Sequence, residues 1–191
     1  MDNLNYYKAS LLKCENNIKN LSQHTALKDV VGSEYEKHTA RIYTFYGNSL
    51  ELEQQNNQYG FTIDILVKRN GKILCLEETK GHYLDSCFME RALVGFSKAV
   101  HNLKTKGLPI PKMVIHSFTT YNKYTEKLHE FKKIVHPNII SSLDNNLIYI
   151  TLCSSNRLHK KKWFTKNCDH PYLTNIDDNK ILNHIRFISS L

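Results

Sequence analysis

The chain is expected to fold as an α/β domain, with a mixed central β-sheet flanked by helices on both faces. Three observations carry that expectation. Residues 60–81, GFTIDILVKRNGKILCLEETKG, read as two strands joined at Asn70-Gly71, a dipeptide suited to tight hairpin turns. Both strands, Phe61 to Val67 and Ile73 to Leu76, are apolar on both faces, as strands in the middle of a covered sheet are. The order strand, strand, helix, strand, helix, strand then describes a mixed sheet covered on two sides.

Taken in order, the elements begin with a helix over residues 3 to 22. Leu4, Tyr7, Leu11, Cys14, Ile18 and Leu21 recur at spacings of three and four and form one apolar stripe, for a core or, alternatively, for a dimer seam. Ser33 with Glu36 matches a capping box, and Gly47 sits where a left-handed C-terminal cap belongs, so a second helix is expected between them. Its inward stripe is Tyr35, Thr39, Ile42, Tyr43 and Tyr46. Residues 48–59 are polar and form an exposed strand or a loop before the hairpin.

After Lys80, a helix from about Ser86 to Lys106 buries Met89, Ala92, Leu93, Phe96, Val100 and Leu103. Arg91, Lys98 and His101 fall on its other face. Gly107 and the prolines at 109 and 111 end it. Met113 to Phe118 is a third buried strand, Tyr121 to His136 a basic amphipathic helix, and Leu147 to Leu152 a fourth strand. Ile181 to Ile188 closes the chain as a helix.

The length of 191 residues fits a single domain, 1–191, with its core at about 30–152. Residues 153–191 then supply a basic loop and the closing helix. The 26 Lys and Arg against 18 Asp and Glu leave a net charge of +8, which points to a polyanionic partner. Nucleic acid is favoured over a membrane surface because no basic amphipathic helix dominates. The five cysteines are odd in number and lack CxxC spacing, which suits a reducing cytoplasm. Cys168-Asp169-His170 resembles part of a zinc motif, but no second ligand pair has the right spacing. No signal peptide opens the chain and no apolar run reaches membrane-spanning length, so a cytoplasmic protein without a membrane is expected.

Ionisable residues mark where the chemistry lies. Asp64 interrupts the first strand of the hairpin, and Glu78 and Lys80 interrupt the end of the second. A carboxylate in a buried strand is costly unless it is paired or holds a metal. Glu78 and Lys80 are two apart and share a face. A plain two-residue turn pairs Arg69 with Lys72 and Asp64 with Glu77, which leaves Glu78 on the wrong face. A three-residue loop, Arg69-Asn70-Gly71 with Gly71 left-handed as a bulge, gathers Asp64, Glu78 and Lys80 together and is the expected arrangement. Glu77 remains the reserve carboxylate. Farther on, Arg157, Lys160, Lys161 and Lys162 stand beside Trp163 and Phe164. Such a segment grips a phosphate backbone and offers a stacking ring, or else is a basic loop whose Trp163 fills the core.

Gly32-Ser33-Glu34-Tyr35-Glu36, Ile63-Asp64-Ile65 and Glu78-Thr79-Lys80 together resemble the PD-(D/E)XK nuclease superfamily. That superfamily includes type II restriction endonucleases and the archaeal Holliday-junction resolvases. The order of a Gly-x-x-x-Glu helix, an Asp-led strand, an Asn-Gly turn and a Glu-x-Lys strand is nearest to the resolvases. The resemblance covers about residues 32–106; Ile63 stands where the family name has Pro, and the Asp64–Glu78 gap is one residue longer than a simple hairpin pairs.

The resemblance implies a restriction endonuclease-like sheet and a DNA endonuclease that hydrolyses phosphodiester bonds with Mg²⁺, or Mn²⁺ in its place. Asp64 and Glu78 would hold the cation, Glu36 would bind a second one directly or through water, and Lys80 would orient and help deprotonate the attacking water. Residues beyond about 107 exceed what a minimal resolvase needs. A type II restriction endonuclease acting on DNA as a homodimer is therefore the first expectation. A junction resolvase, a phage or mobile-element nuclease, or a catalytically inactive DNA-binding protein of the same fold are the alternatives.

Overall fold

The computed structural model describes residues 3–21, 27–80, 86–117, 121–152 and 176–191. Two helices, α1 (Asn3–Leu21) and α2 (Leu27–Tyr46), precede the edge strand β1 (Glu51–Asn56) and the hairpin of β2 (Ile63–Arg69) and β3 (Lys72–Lys80). There follow α3 (Ser86–Thr105), β4 (Lys112–Ser117), α4 (Tyr121–Lys132), α5 (Pro137–Asn146), β5 (Leu147–Thr151) and α6 (Asp178–Ser190). The five strands form one sheet in the order β1-β2-β3-β4-β5. β1, β2 and β3 pair antiparallel, while β3, β4 and β5 pair parallel. Parallel neighbours need long crossovers, and α3 and then α4 with α5 supply them.

Alternation along the strands divides the interior in two. Ile65, Val67, Cys75, Val114 and Ile150 pack with Tyr7, Leu11, Ile18, Val31, Ile42, Ile181 and Ile188 of α1, α2 and α6. Leu66, Leu76, Met113 and Ile115 pack with Leu93, Phe96, Val100, Phe131 and Leu143 of α3, α4 and α5. The molecule is thus an α/β fold with a five-stranded mixed sheet and helices on both faces. Its core extends past residues 30–152, since α1 and α6 both contribute. The α1 stripe is buried at Tyr7, Leu11, Cys14 and Ile18, whereas Leu21 is 45% exposed.

Several boundaries differ from the sequence reading. α2 begins at Leu27, so Ser33 lies inside the helix and caps nothing. Val30 and Val31 are buried in the α1-side core, and that burial extends the helix past the expected cap. Gly47 follows α2 without a left-handed φ, which belongs instead to Ser49 (φ 56°). The glycine serves close packing: its N–H bonds Tyr43 O at 2.9 Å, and a Cβ would stand 2.1 Å from Leu50 Cδ1 and 2.7 Å from Tyr43 O. The basic helix expected to run to His136 stops at Lys132, and α5 starts afresh at Pro137. His136 caps it by accepting from Asn138 N at 3.3 Å, and proline is at home in a first helical turn.

The hairpin is the most informative difference. Arg69 faces Lys72 across a two-residue turn, with Asn70 and Gly71 both left-handed (φ 51° and 72°). That is the mirror-image turn that matches strand twist, and Asn tolerates it. The bulge exists, but it lies within β3 rather than in the turn. Lys68 pairs with Ile73 and Val67 with Cys75, so Leu74 is the extra residue. The ladder then runs through Leu66–Leu76 and ends at Ile65–Glu77, one step short of Asp64 and Glu78.

Candidate functional site

The candidate site lies where β2 begins and β3 ends. Thr79 N donates to Asp64 Oδ2 at 2.9 Å, which anchors the carboxylate to the neighbouring strand. Gln55 of β1 approaches from the other side. Its amide Nε2 donates to Glu36 Oε2 at 2.8 Å and reaches Asp64 Oδ1 at 3.5 Å. Gln55 therefore joins the α2 carboxylate to the β2 carboxylate, two residues far apart in the chain.

The backbone is distorted at this place. Gln55 has a φ of 53°, a left-handed conformation that a residue with a β-carbon adopts only at some expense. The Gln54–Ile65 and Asn56–Ile63 pairs flank it, and the Gln55–Asp64 step between them is missing from the ladder. Ile65 packs on the α2 side and Ile63 on the α3 side, so strict alternation breaks at Asp64. The sequence predicts an exposed strand or a loop over residues 48–59; the strand is β1, and the sequence gives Gln55 no role. Its position opposite Asp64 in a paired edge strand is the signal that finds it.

Glu78 is 5% exposed and shares its parity with Leu76, which packs in the α3-side core. Lys80 is the last residue of β3, opposite Ser117 of β4, and its side chain lies outside the described residues. Arg157, Lys160, Lys161, Lys162 and Trp163 also lie outside them, as does the Cys168-Asp169-His170 segment. Among the described residues, Asp64 and Glu36 are linked through Gln55, and Glu78 lies one step along β3 beyond the Ile65–Glu77 pair.

Glu77 turns the other way. It is fully buried on the α2 and α6 side of the sheet, where Tyr43 donates its hydroxyl proton to Glu77 Oε2. Burial, with Cys75 and Glu77 close by, raises the Tyr43 hydroxyl well above its usual range and keeps it a donor. His116 Nδ1 of β4 lies 3.3 Å from Glu77 Oε1 and 3.3 Å from Thr39 Oγ1. His184 of α6 meets the Tyr7 hydroxyl through Nδ1 at 2.9 Å, and its ring centroid is 4.6 Å from that of His116. Burial, helped by His116 and His38, holds His184 well below the usual imidazole range, so it stays neutral. The reserve carboxylate is therefore part of a separate buried polar cluster.

The described cysteines, Cys14 and Cys75, are free buried thiols. Among the described residues no helix is long and apolar enough to cross a membrane. No family model, no curated protein and no solved structure matches the chain.

Proposed function

We propose that the chain is a metal-dependent DNA endonuclease of the PD-(D/E)XK kind, hydrolysing phosphodiester bonds. One observation carries the reading: Glu36 is drawn to Asp64 through Gln55 beside the end of β3, where Thr79 N–H holds Asp64. The donor set suits a hard cation, since all three candidates offer carboxylate oxygens. Asp64 Oδ2 accepts from Thr79 N–H and Oδ1 from the Gln55 amide. The Gln55 amide donates to both Glu36 and Asp64 and so holds the two carboxylates near each other.

Asp64 and Glu78 would hold Mg²⁺, or Mn²⁺ in its place, with Glu36 as the third carboxylate. A cation bound there supplies an activated water and neutralises charge at the phosphate. The chain's own residues do the positioning. Thr79 N–H fixes the orientation of Asp64, and Gln55 holds Glu36 beside it. Lys80, two residues beyond Glu78, orients the attacking water and meets the negative charge that develops at phosphorus. The net charge of +8 favours a polyanionic substrate, with Arg157, Lys160, Lys161, Lys162 and Trp163 as the segment that grips the backbone.

Restriction-type cleavage of duplex DNA by a homodimer is the first form of this reading. Junction cleavage is the second, favoured by the link from the Gly-x-x-x-Glu helix to Asp64. Incubating the protein with plasmid DNA, phage DNA and a four-way junction in Mg²⁺ or Mn²⁺ tests both. Discrete duplex fragments support the first form, and cuts confined to the junction support the second. Wild-type protein that binds DNA and cuts none of the three overturns the enzyme reading in favour of a binding module.

A further inference from the structure

We propose that Glu77, His116 and His184 form a buried transition-metal site, with Zn²⁺ the ion their side chains fit. It is separate from the Asp64 site and stands whether or not the chain cleaves DNA. The three residues come from β3, β4 and α6, and one ligand atom from each lies within 4.8 Å of the others. Their exposures are 0%, 2% and 1%, so solvent does not satisfy them. His184 Nε2 has no hydrogen-bond partner among the described residues, and Glu77 Oε1 meets His116 Nδ1 at 3.3 Å without hydrogen-bond geometry.

The opposite atoms are held from behind. Tyr7 meets His184 Nδ1 and Tyr43 donates to Glu77 Oε2, while His116 turns its Nδ1 to the group itself, 3.3 Å from Glu77 Oε1. Hydroxyl groups that fix ligating side chains from outside are the usual surroundings of a metal site. Two imidazoles and one carboxylate match borderline ions such as Zn²⁺ better than Mg²⁺, which prefers oxygen alone. Zinc–nitrogen bonds near 2 Å place tetrahedral ligands roughly 3.4 Å apart, so the side chains close by about an ångström on binding. Bound there, the ion ties α6 to the centre of the sheet.

The test is zinc retention after refolding, because a buried site fills as the chain folds. Wild-type protein is unfolded in denaturant, refolded with Zn²⁺ or with Co²⁺, and desalted. About one retained Zn²⁺ per chain, and a melting temperature several degrees above that of protein refolded with chelator, are expected. His184→Gln and Glu77→Gln should lose the ion and the shift, whereas Asp64→Asn should keep both. The Co²⁺ form should show weak visible bands without intense near-ultraviolet thiolate absorption, which separates this site from the five cysteines. Wild-type protein that retains no zinc overturns the proposal. So does retention unchanged in both Gln variants, or a Co²⁺ spectrum dominated by thiolate. Should the Gln variants fail to fold, the wild-type stoichiometry and Co²⁺ spectrum decide.

Discussion

Glu77 and Glu78 are neighbours in β3 and serve opposite sides of the sheet. Glu77 meets Tyr43 and His116 beneath α2 and α6, while Glu78 follows Leu76 toward the α3 layer. The one-residue bulge at Leu74 shifts the ladder so that Glu77 pairs with Ile65 rather than with Asp64. The two should therefore fail differently when neutralised. Glu78→Gln should abolish Mg²⁺-dependent cleavage with little change in melting temperature. Glu77→Gln should leave cleavage measurable and change stability, because it disturbs a buried hydrogen-bonded cluster. Cleavage rates beside melting curves for both variants check the assignment, and loss of activity only in Glu77→Gln would reverse it.

Asp64→Asn and Lys80→Ala separate the enzyme from a binding module. Asn keeps the size of Asp64 and removes the charge that attracts a cation. Lys80→Ala spares the carboxylates and removes the group that meets charge in the transition state, a loss of roughly 10²–10³-fold for one such stabilising group. Both variants should fold and retain DNA binding in Ca²⁺, with Asp64→Asn binding as well as wild type or better. Gel shifts, cleavage rates and melting curves measure the three properties independently. Full cleavage by Asp64→Asn would remove the metal role from that residue.

Gln55 has a left-handed backbone and also bridges Glu36 and Asp64, and two substitutions pull these apart. Gln55→Ala keeps the β-carbon in a left-handed backbone and deletes the amide between Glu36 and Asp64. Gln55→Gly deletes the same amide and relieves the backbone. The Gly variant should be the more stable of the two by about 1 kcal/mol, and both should cleave more slowly than wild type. Denaturant melts and cleavage assays supply both readouts. Equal stabilities would show that the φ of 53° carries no strain.

What could be read from the sequence follows the strength of local signals. Periodicity placed α1 and α3, and Asn70-Gly71 placed the hairpin turn, because each signal lies within a few residues. The capping pattern at Ser33 misled: burial of Val30 and Val31 outweighs a local cap. The one-residue shift of the ladder that a bulge in the loop would give comes from a bulge at Leu74 instead. No local signal marks such a site, since both placements shift the ladder by one residue. Gln55 and the Glu77–His116–His184 cluster could not be read at all. Glu36 and Gln55 are 19 residues apart, Glu77 and His116 are 39 apart and His116 and His184 are 68 apart, and only the fold brings them together.

Gly47 offers a test of packing alone. A Cβ at this position would meet the Leu50 side chain at 2.1 Å and the Tyr43 carbonyl at 2.7 Å. Leu50 can rotate away, but the carbonyl belongs to the last turn of α2. Gly47→Ala should therefore destabilise the fold by about 1–3 kcal/mol, the range for forced overpacking. Pairing it with Leu50→Ala should recover little, because the backbone contact remains. A stability for Gly47→Ala equal to wild type would mean that the helix end moves freely.

Glu15 gives the stability a dependence on pH whose sign is fixed. Burial pushes its carboxyl from the ordinary 4.5 up to about 7, and its Oε1 has no hydrogen-bond partner among the described residues. Between those values the folded chain holds a proton that the unfolded chain has released. Stability contributed by this group is thus present below about 4.5, falls as pH rises, and is fully lost above about 7. Burial also lowers the His38 and His184 imidazoles, which acts in the opposite direction: protonation of the unfolded chain below pH 6.5 weakens the fold. The whole-protein profile mixes both effects, so the difference between wild type and Glu15→Gln isolates one of them. Gln is neutral at every pH and close in size to Glu. Melting temperatures of the two proteins should nearly coincide at pH 4.5 and diverge progressively to pH 7, with the variant the more stable. A difference that stays constant across that window would show that Glu15 is not desolvated in the folded chain.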